Sequence, residues 1–116
     1  MQQPHVISAT TVMGDHVVSP TGEELGRIEE IMLDADENRI AYAVLSFGGF
    51  LGMGNKLFAI PWERLQLDPA NERFVLDVPR EQLEEAPGFD KDDWPDFADR
   101  SLGGRIHDYY GVARYW

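Results

Sequence analysis

At 116 residues the chain has room for one hydrophobic core and not for two, and 43% hydrophobic against 27% charged residues places it with globular sequences. Cysteine is absent, which excludes a disulfide framework, thiolate metal sites and thiol catalysis. The net charge of −11, with ten Lys and Arg scattered among twenty-one Asp and Glu, argues against nucleic acid and anionic membrane surfaces as partners, because both attract clustered cations.

Residues 1–12 read as a polar lead-in, extended and partly mobile. No basic segment followed by an apolar one opens the chain, so no signal peptide is expected and a cytoplasmic protein is the default. Met13 to Val18 reads as a first short strand, and Ser19-Pro20-Thr21-Gly22 supplies turn residues after it. Leu25 to Asp34 is ambiguous. Leu25, Ile28 and Met32 fall at helical spacing, and Thr21 with Glu24 imitates a capping box. Gly26 and the turn-like cluster Asp34 to Arg39 favour a strand, with a bulge near Glu29-Glu30 where apolar parity switches from Ile28 to Ile31 and Leu33.

Ile40 to Phe47 and Lys56 to Pro61 are apolar runs rich in β-branched and aromatic residues, and they flank a loop holding four of the eleven glycines. Glycine and proline close them too early for helices, so they read as an antiparallel strand pair, the first covered on both faces. The uncharged stretch Ile40 to Asn55 is sixteen residues, short of the about 20 a membrane helix needs, and no membrane insertion is expected. Trp62 to Arg64 is a turn, Leu65 to Asp68 a strand and Pro69 to Glu72 a turn. Arg73 to Val78 alternates with Phe74, Leu76 and Val78 inward. Six short antiparallel strands in this order predict a mainly β fold, a small closed or nearly closed barrel. Arg80 to Glu85 is a helical turn or two, stopped by Pro87-Gly88. Seven of the thirteen aromatics lie in the last twenty-eight residues, too many for a disordered acidic tail.

The chain resembles a PRC-barrel domain. The likeness is carried by Gly14-Asp15-His16-Val17, by Gly22 through Gly26-Arg27-Ile28 to Asp34, by Ile40 through Phe47-Gly48-Gly49-Phe50, by Lys56-Leu57-Phe58-Ala59-Ile60-Pro61-Trp62 and by Leu76-Asp77-Val78. It divides the chain into a lead-in (1–12), a PRC-type barrel (13–88) and an aromatic, acidic extension (89–116). The resemblance implies a binding role rather than a reaction. The family includes the cytoplasmic part of the H subunit of photosynthetic reaction centres and the C-terminal half of a ribosome-maturation factor. This chain lacks the membrane helix of the first and the separate N-terminal domain of the second. A reaction-centre-like role in electron or proton transfer is the alternative the resemblance implies. The stretch from Ala86 to Gly111 is similar to an extension of stand-alone bacterial members.

Several local patterns imitate sites. Asp34-x-Asp36-x-Asn38 has the first spacing of a calcium loop, but Arg39 stands where glycine is required and Leu45 where a bidentate glutamate is, so a solvated turn is expected. The glycine-rich loop lacks a following helix and the Lys-Ser/Thr pair of a phosphate loop. His5, His16 and His107 are too dispersed for a metal or acid–base site. Asp90, Asp92, Asp93, Asp96 and Asp99 suit solvation and helix capping as well as weak cation binding. Glu29 and Glu30, as neighbours on a strand, point to opposite faces unless a bulge intervenes.

No nucleophile–base pair is present, so no enzymatic activity, catalytic residue, metal or cofactor is expected. The candidate protein-contact residues are Phe50, Leu51 and Met53 at the loop tip and Phe89, Trp94, Phe97, Tyr109, Tyr110, Tyr115 and Trp116 in the tail. Three destinations are open for the tail aromatics: the chain's own barrel, a second copy, or another protein. The expectation is a non-enzymatic scaffold or docking module that forms a dimer or larger homo-oligomer, with an unidentified protein as a further partner.

Overall fold

Turn residues divide the chain into short strands. The computed structural model describes residues 6–47 and 56–116, so Phe50, Leu51 and Met53 of the loop tip lie outside the described residues. After a single helical turn, α1 (Ala9–Val12), come β1 (His16–Val18) and β2 (Glu24–Asp34). The Ser19–Gly22 turn joins them, closed by a 2.9 Å bond from the Gly22 amide to the Ser19 carbonyl, with Gly22 at φ +89°. Asn38, at φ +54°, turns the chain into β3 (Arg39–Phe47). Next come β4 (Lys56–Pro61), a 3-10 turn at Trp62–Arg64, β5 (Leu65–Asp68), a second 3-10 turn at Pro69–Asn71, and β6 (Arg73–Leu76). α2 (Arg80–Glu84), β7 (Phe89–Asp90) and α3 (Arg100–Tyr110) complete the chain.

Among the described residues the strands form one seven-stranded sheet in the order β5-β6-β1-β2-β3-β4-β7. β3 lies inside it with Ala41 to Leu45 and Phe47 all buried, which is the two-sided coverage its sequence predicts. The expected bulge is present. Ile28 faces Leu45 and Glu30 faces Val44, leaving Glu29 as the extra residue where the apolar parity switches. Phe74, Leu76 and Val78 are buried as their alternation requires.

Four features correct the sequence expectation. Among the described residues the sheet has seven strands rather than six, because Phe89 and Asp90 of the tail add a strand beside Leu57 and Lys56, and it is not closed. The β1–β6 pair is parallel, with Val17 beside Phe74. The reason is one of direction: β1 to β4 meander across the sheet, and the β5–β6 hairpin returns to the β1 edge with β6 running the same way as β1. The lead-in is not wholly extended, since α1 buries Val12 in the core. The tail contains an eleven-residue helix, α3, with the Asp99 carboxylate accepting from the Ser101 amide at 2.9 Å and Gly111 ending it at φ +69°.

Candidate interaction face

The tail aromatics meet the chain's own sheet and one another. Phe97 stands 5.7 Å from the Tyr42 ring of β3, and Phe89 and Trp94 stack on with centroid separations of 5.9 Å (Phe89–Phe97) and 5.0 Å (Phe89–Trp94). His107 of α3 continues the series, 5.7 Å from Tyr42, 5.9 Å from Tyr115 and 4.9 Å from Trp116. Its imidazole is fully buried, and its Nδ1 lies 2.9 Å from the Gly103 carbonyl, which fits an Nδ1–H donor. His107 is thus a core residue; nothing about its position in the sequence sets it apart. Tyr109 donates to the Gln82 carbonyl, and Tyr110 beside it is buried, which pushes its phenol pKa up.

One carboxylate fastens this layer to the β2–β3 turn. Asp34 Oδ2 accepts from Arg100 Nη1 at 2.8 Å and from the Tyr115 hydroxyl at 2.6 Å. Its Oδ1 accepts from the backbone amides of Asp36 and Glu37, each at 3.1 Å. The Arg100 and Tyr115 bonds hold the Asp34 carboxyl well below the usual carboxylate range. Burial, with the carboxylate it donates to, pushes the Tyr115 phenol up to about 12. The turn at residues 35–38 is exposed as expected, but the Asp34 side chain that precedes it is only 7% exposed and serves as a structural anchor. Arg39 stacks over Tyr115 at 3.8 Å and Arg100 over Trp116 at 4.9 Å, so both guanidiniums are part of the same fastening.

Of the tail residues singled out from sequence, the structure gathers Phe89, Trp94 and Phe97 at one end and Tyr115 and Trp116 at the other, with Tyr109 and Tyr110 against α2 and the core. All but Trp94 are half-buried or buried; Trp94 is 41% exposed. Besides Val6 of the lead-in, a further exposed apolar group is one the sequence did not single out. Leu33 is 74% exposed on β2. A second register irregularity, between Met32 and Leu33, leaves Ala41 as the extra residue opposite them. A signal was present: Ile31-Met32-Leu33 are three adjacent apolar residues on a strand, and a single face of the sheet cannot take all three.

Leu33 and Phe97 flank a cleft of about 240 Å³, lined also by Ala41 and Tyr42 and, on its polar side, by Asp36 and Arg100. Trp94 lies beyond, its ring 6.3 Å from Phe97. The result is a strip running from Leu33 through the cleft and Phe97 to Trp94. Of the other imitated sites, the glycine-rich loop and His5 lie outside the described residues, and three of the rest are engaged locally. Asp99 caps α3, Glu30 accepts from the Ile31 amide, and His16 pairs with Glu24 on the surface. Among the described residues no three His, Asp or Glu side chains are gathered to hold a metal, and no helix is long and apolar enough to cross a membrane.

A family model described as PRC-barrel domain matches residues 4–83, from ahead of α1 to within α2. No curated protein matches the chain.

Proposed function

Because the chain belongs to the PRC-barrel domain family, with the matched region spanning the first six strands of its sheet, we propose that it is a non-enzymatic protein-interaction module. The observation that supports this reading is the exposed strip ending in Leu33 and Trp94. A chain of this charge has soluble surface to spare, and its other tail aromatics cover its own sheet. It is the pairing of a 74% exposed apolar side chain with a preformed cleft and the exposed Trp94 beyond it, rather than a single exposed leucine, that supports a contact surface. The protein contact, expected from the apolar strand faces, the glycine-rich loop or the tail, is carried on this reading by the strip.

The test is a photo-crosslinking side chain placed at position 33 of the full chain, compared with one at the exposed Glu81 of α2. The expected outcome is a discrete protein adduct from position 33 and none from position 81. An adduct of doubled mass would identify a second copy; one of another mass, a different protein. No adduct, or the same adducts from both positions, overturns the reading.

A further inference from the structure

We propose that the occupant of the strip is a lysine- or arginine-rich segment of another protein that seats one apolar side chain in the cleft. The inference rests on the interaction reading and adds the chemistry of the partner. Size is the first ground. At about 240 Å³ the cleft is below the about 300–1,000 Å³ of ordinary small-molecule pockets, and it suits a single anchoring side chain.

Charge is the second ground. Asp36 lines the cleft and Glu37 follows it in the turn; both are exposed and make no ion pair among the described residues. Trp94 and Phe97 sit in the segment Asp90-Lys91-Asp92-Asp93-Trp94-Pro95-Asp96-Phe97-Ala98-Asp99, with five exposed aspartates and one cation. The guanidinium nearest the cleft, that of Arg100, is bonded to Asp34 and stacked over Trp116. The strip therefore carries apolar groups at Leu33, Phe97 and Trp94 and is negative at its margins. A second copy of the chain would bring like-charged margins together under a net charge of −11 on each protomer, which is unfavourable. A cationic segment meets opposite charge on approach and is steered by it. The partly exposed Trp94 ring adds a face on which a Lys or Arg head can rest.

The experiment is fluorescence polarisation with the full chain and three labelled peptides. One repeats Lys-Leu-Lys-Lys, one has glutamate for every lysine, and one has serine for every leucine. The first is expected to bind, the second not at all, and the third about tenfold more weakly. Leu33→Ser and Trp94→Ala remove exposed side chains, so the fold should survive, and each is expected to weaken the first peptide about tenfold. Asp36→Asn should weaken it about two- to threefold, whereas Glu81→Gln, also the loss of one carboxylate but on α2, should leave it unchanged. Raising salt from about 0.1 to 1 M, which shortens screening from about 10 to 3 Å, should weaken it further.

Equal binding to wild type, Leu33→Ser and Trp94→Ala would mean attraction to the acidic surface in general, and would overturn the proposal. If position 33 crosslinks to a protein but the lysine peptide binds no better than the glutamate one, the interaction reading stands and the cationic partner falls. A doubled-mass adduct without peptide binding assigns the strip to a second copy, and likewise overturns the proposal. If neither crosslink nor peptide binding is seen, both fall together.

Discussion

The β2–β3–β4 sheet and the layer formed by residues 89–116 are both packed, but by different means. At the centre of the sheet, Ala43, Val44, Leu45, Phe58 and Ile60 are buried side chains with nothing to ionise, held by strand pairing and apolar burial. The tail layer is held by ring-on-ring contacts and by one carboxylate that accepts from Arg100 and Tyr115. Ring pairs of this kind add about 0.5–1.5 kcal/mol each beyond their burial. The sheet should therefore be indifferent to pH where the tail layer is not. A contact surface that borrows Phe97 and Trp94 from the tail depends on that layer staying down.

The largest effect is expected in the sheet. Phe58→Ala removes a buried ring that packs edge-on to Phe47 at 5.8 Å, and should cost about 3–5 kcal/mol in denaturant unfolding. A loss no larger than that of a tail substitution would show that the sheet is not the dominant core.

Gly103→Ala should come next, at about 1–3 kcal/mol. A methyl group there would stand 2.9 Å from the Tyr42 hydroxyl and 3.1 Å from the Trp116 ring, so these rings or α3 must shift. Near-ultraviolet circular dichroism should report the loosened rings while the strand signal in the far ultraviolet persists. Simultaneous loss of both signals would mean that sheet and tail are one cooperative unit.

The pH response should be smaller, since Arg100 is 40% exposed to competing water. Asp34 ionises more readily in the folded chain than its ordinary 3.8, so its contribution is complete above that value and is lost as pH falls through the lowered folded one. Tyr115 moves the other way, from 10.0 to about 12, and its contribution is complete below pH 10 and lost as pH rises toward 12. Acid and alkali should each disturb the tail rings. Asp34→Asn should weaken the acid response of the tail, leaving the part carried by the Asp99 cap, and Tyr115→Phe should weaken its alkaline one, leaving the part carried by the raised phenols of Tyr109 and Tyr110. A midpoint of tail loosening unchanged in Asp34→Asn would show that another carboxylate governs it.

The smallest effect sharpens the comparison within two adjacent residues. The atoms nearest a methyl group in Gly104→Ala are the guanidinium end of Arg114, which is flexible and half-exposed and can swing aside. Replacing a helical glycine by alanine gains about 0.5–1 kcal/mol, so this variant should be neutral or slightly stabilised by thermal unfolding. A cost equal to that of Gly103→Ala would mean that α3 is intolerant as a whole, not at its contact with Tyr42.

Much of the fold was legible because its signals are local. Turn residues at Ser19–Gly22, Asp34–Asn38 and Pro69–Glu72 mark strand ends, and the shift of parity from Ile28 to Ile31 reveals the bulge at Glu29. α3 was not legible for a physical reason. Gly103 and Gly104 each weaken a helix considered alone, yet Gly103 lets it approach Tyr42 and Trp116 closely. The strip was half legible: Trp94 stood out by type, whereas Leu33 is exposed by a register irregularity that no single strand reveals.

The sequence by itself determined the first six strands, their turns, the two-sided burial of β3 and the family to which the module belongs, because each follows from residue type and spacing within a few positions. Tertiary structure alone decided the parallel β1–β6 pair, the joining of Asp34 to Arg100 and Tyr115, and the placing of Leu33 across a cleft from Phe97. Those contacts join residues about sixty to eighty positions apart. Their geometry is set by how the chain crosses its own sheet, and local propensity does not encode it.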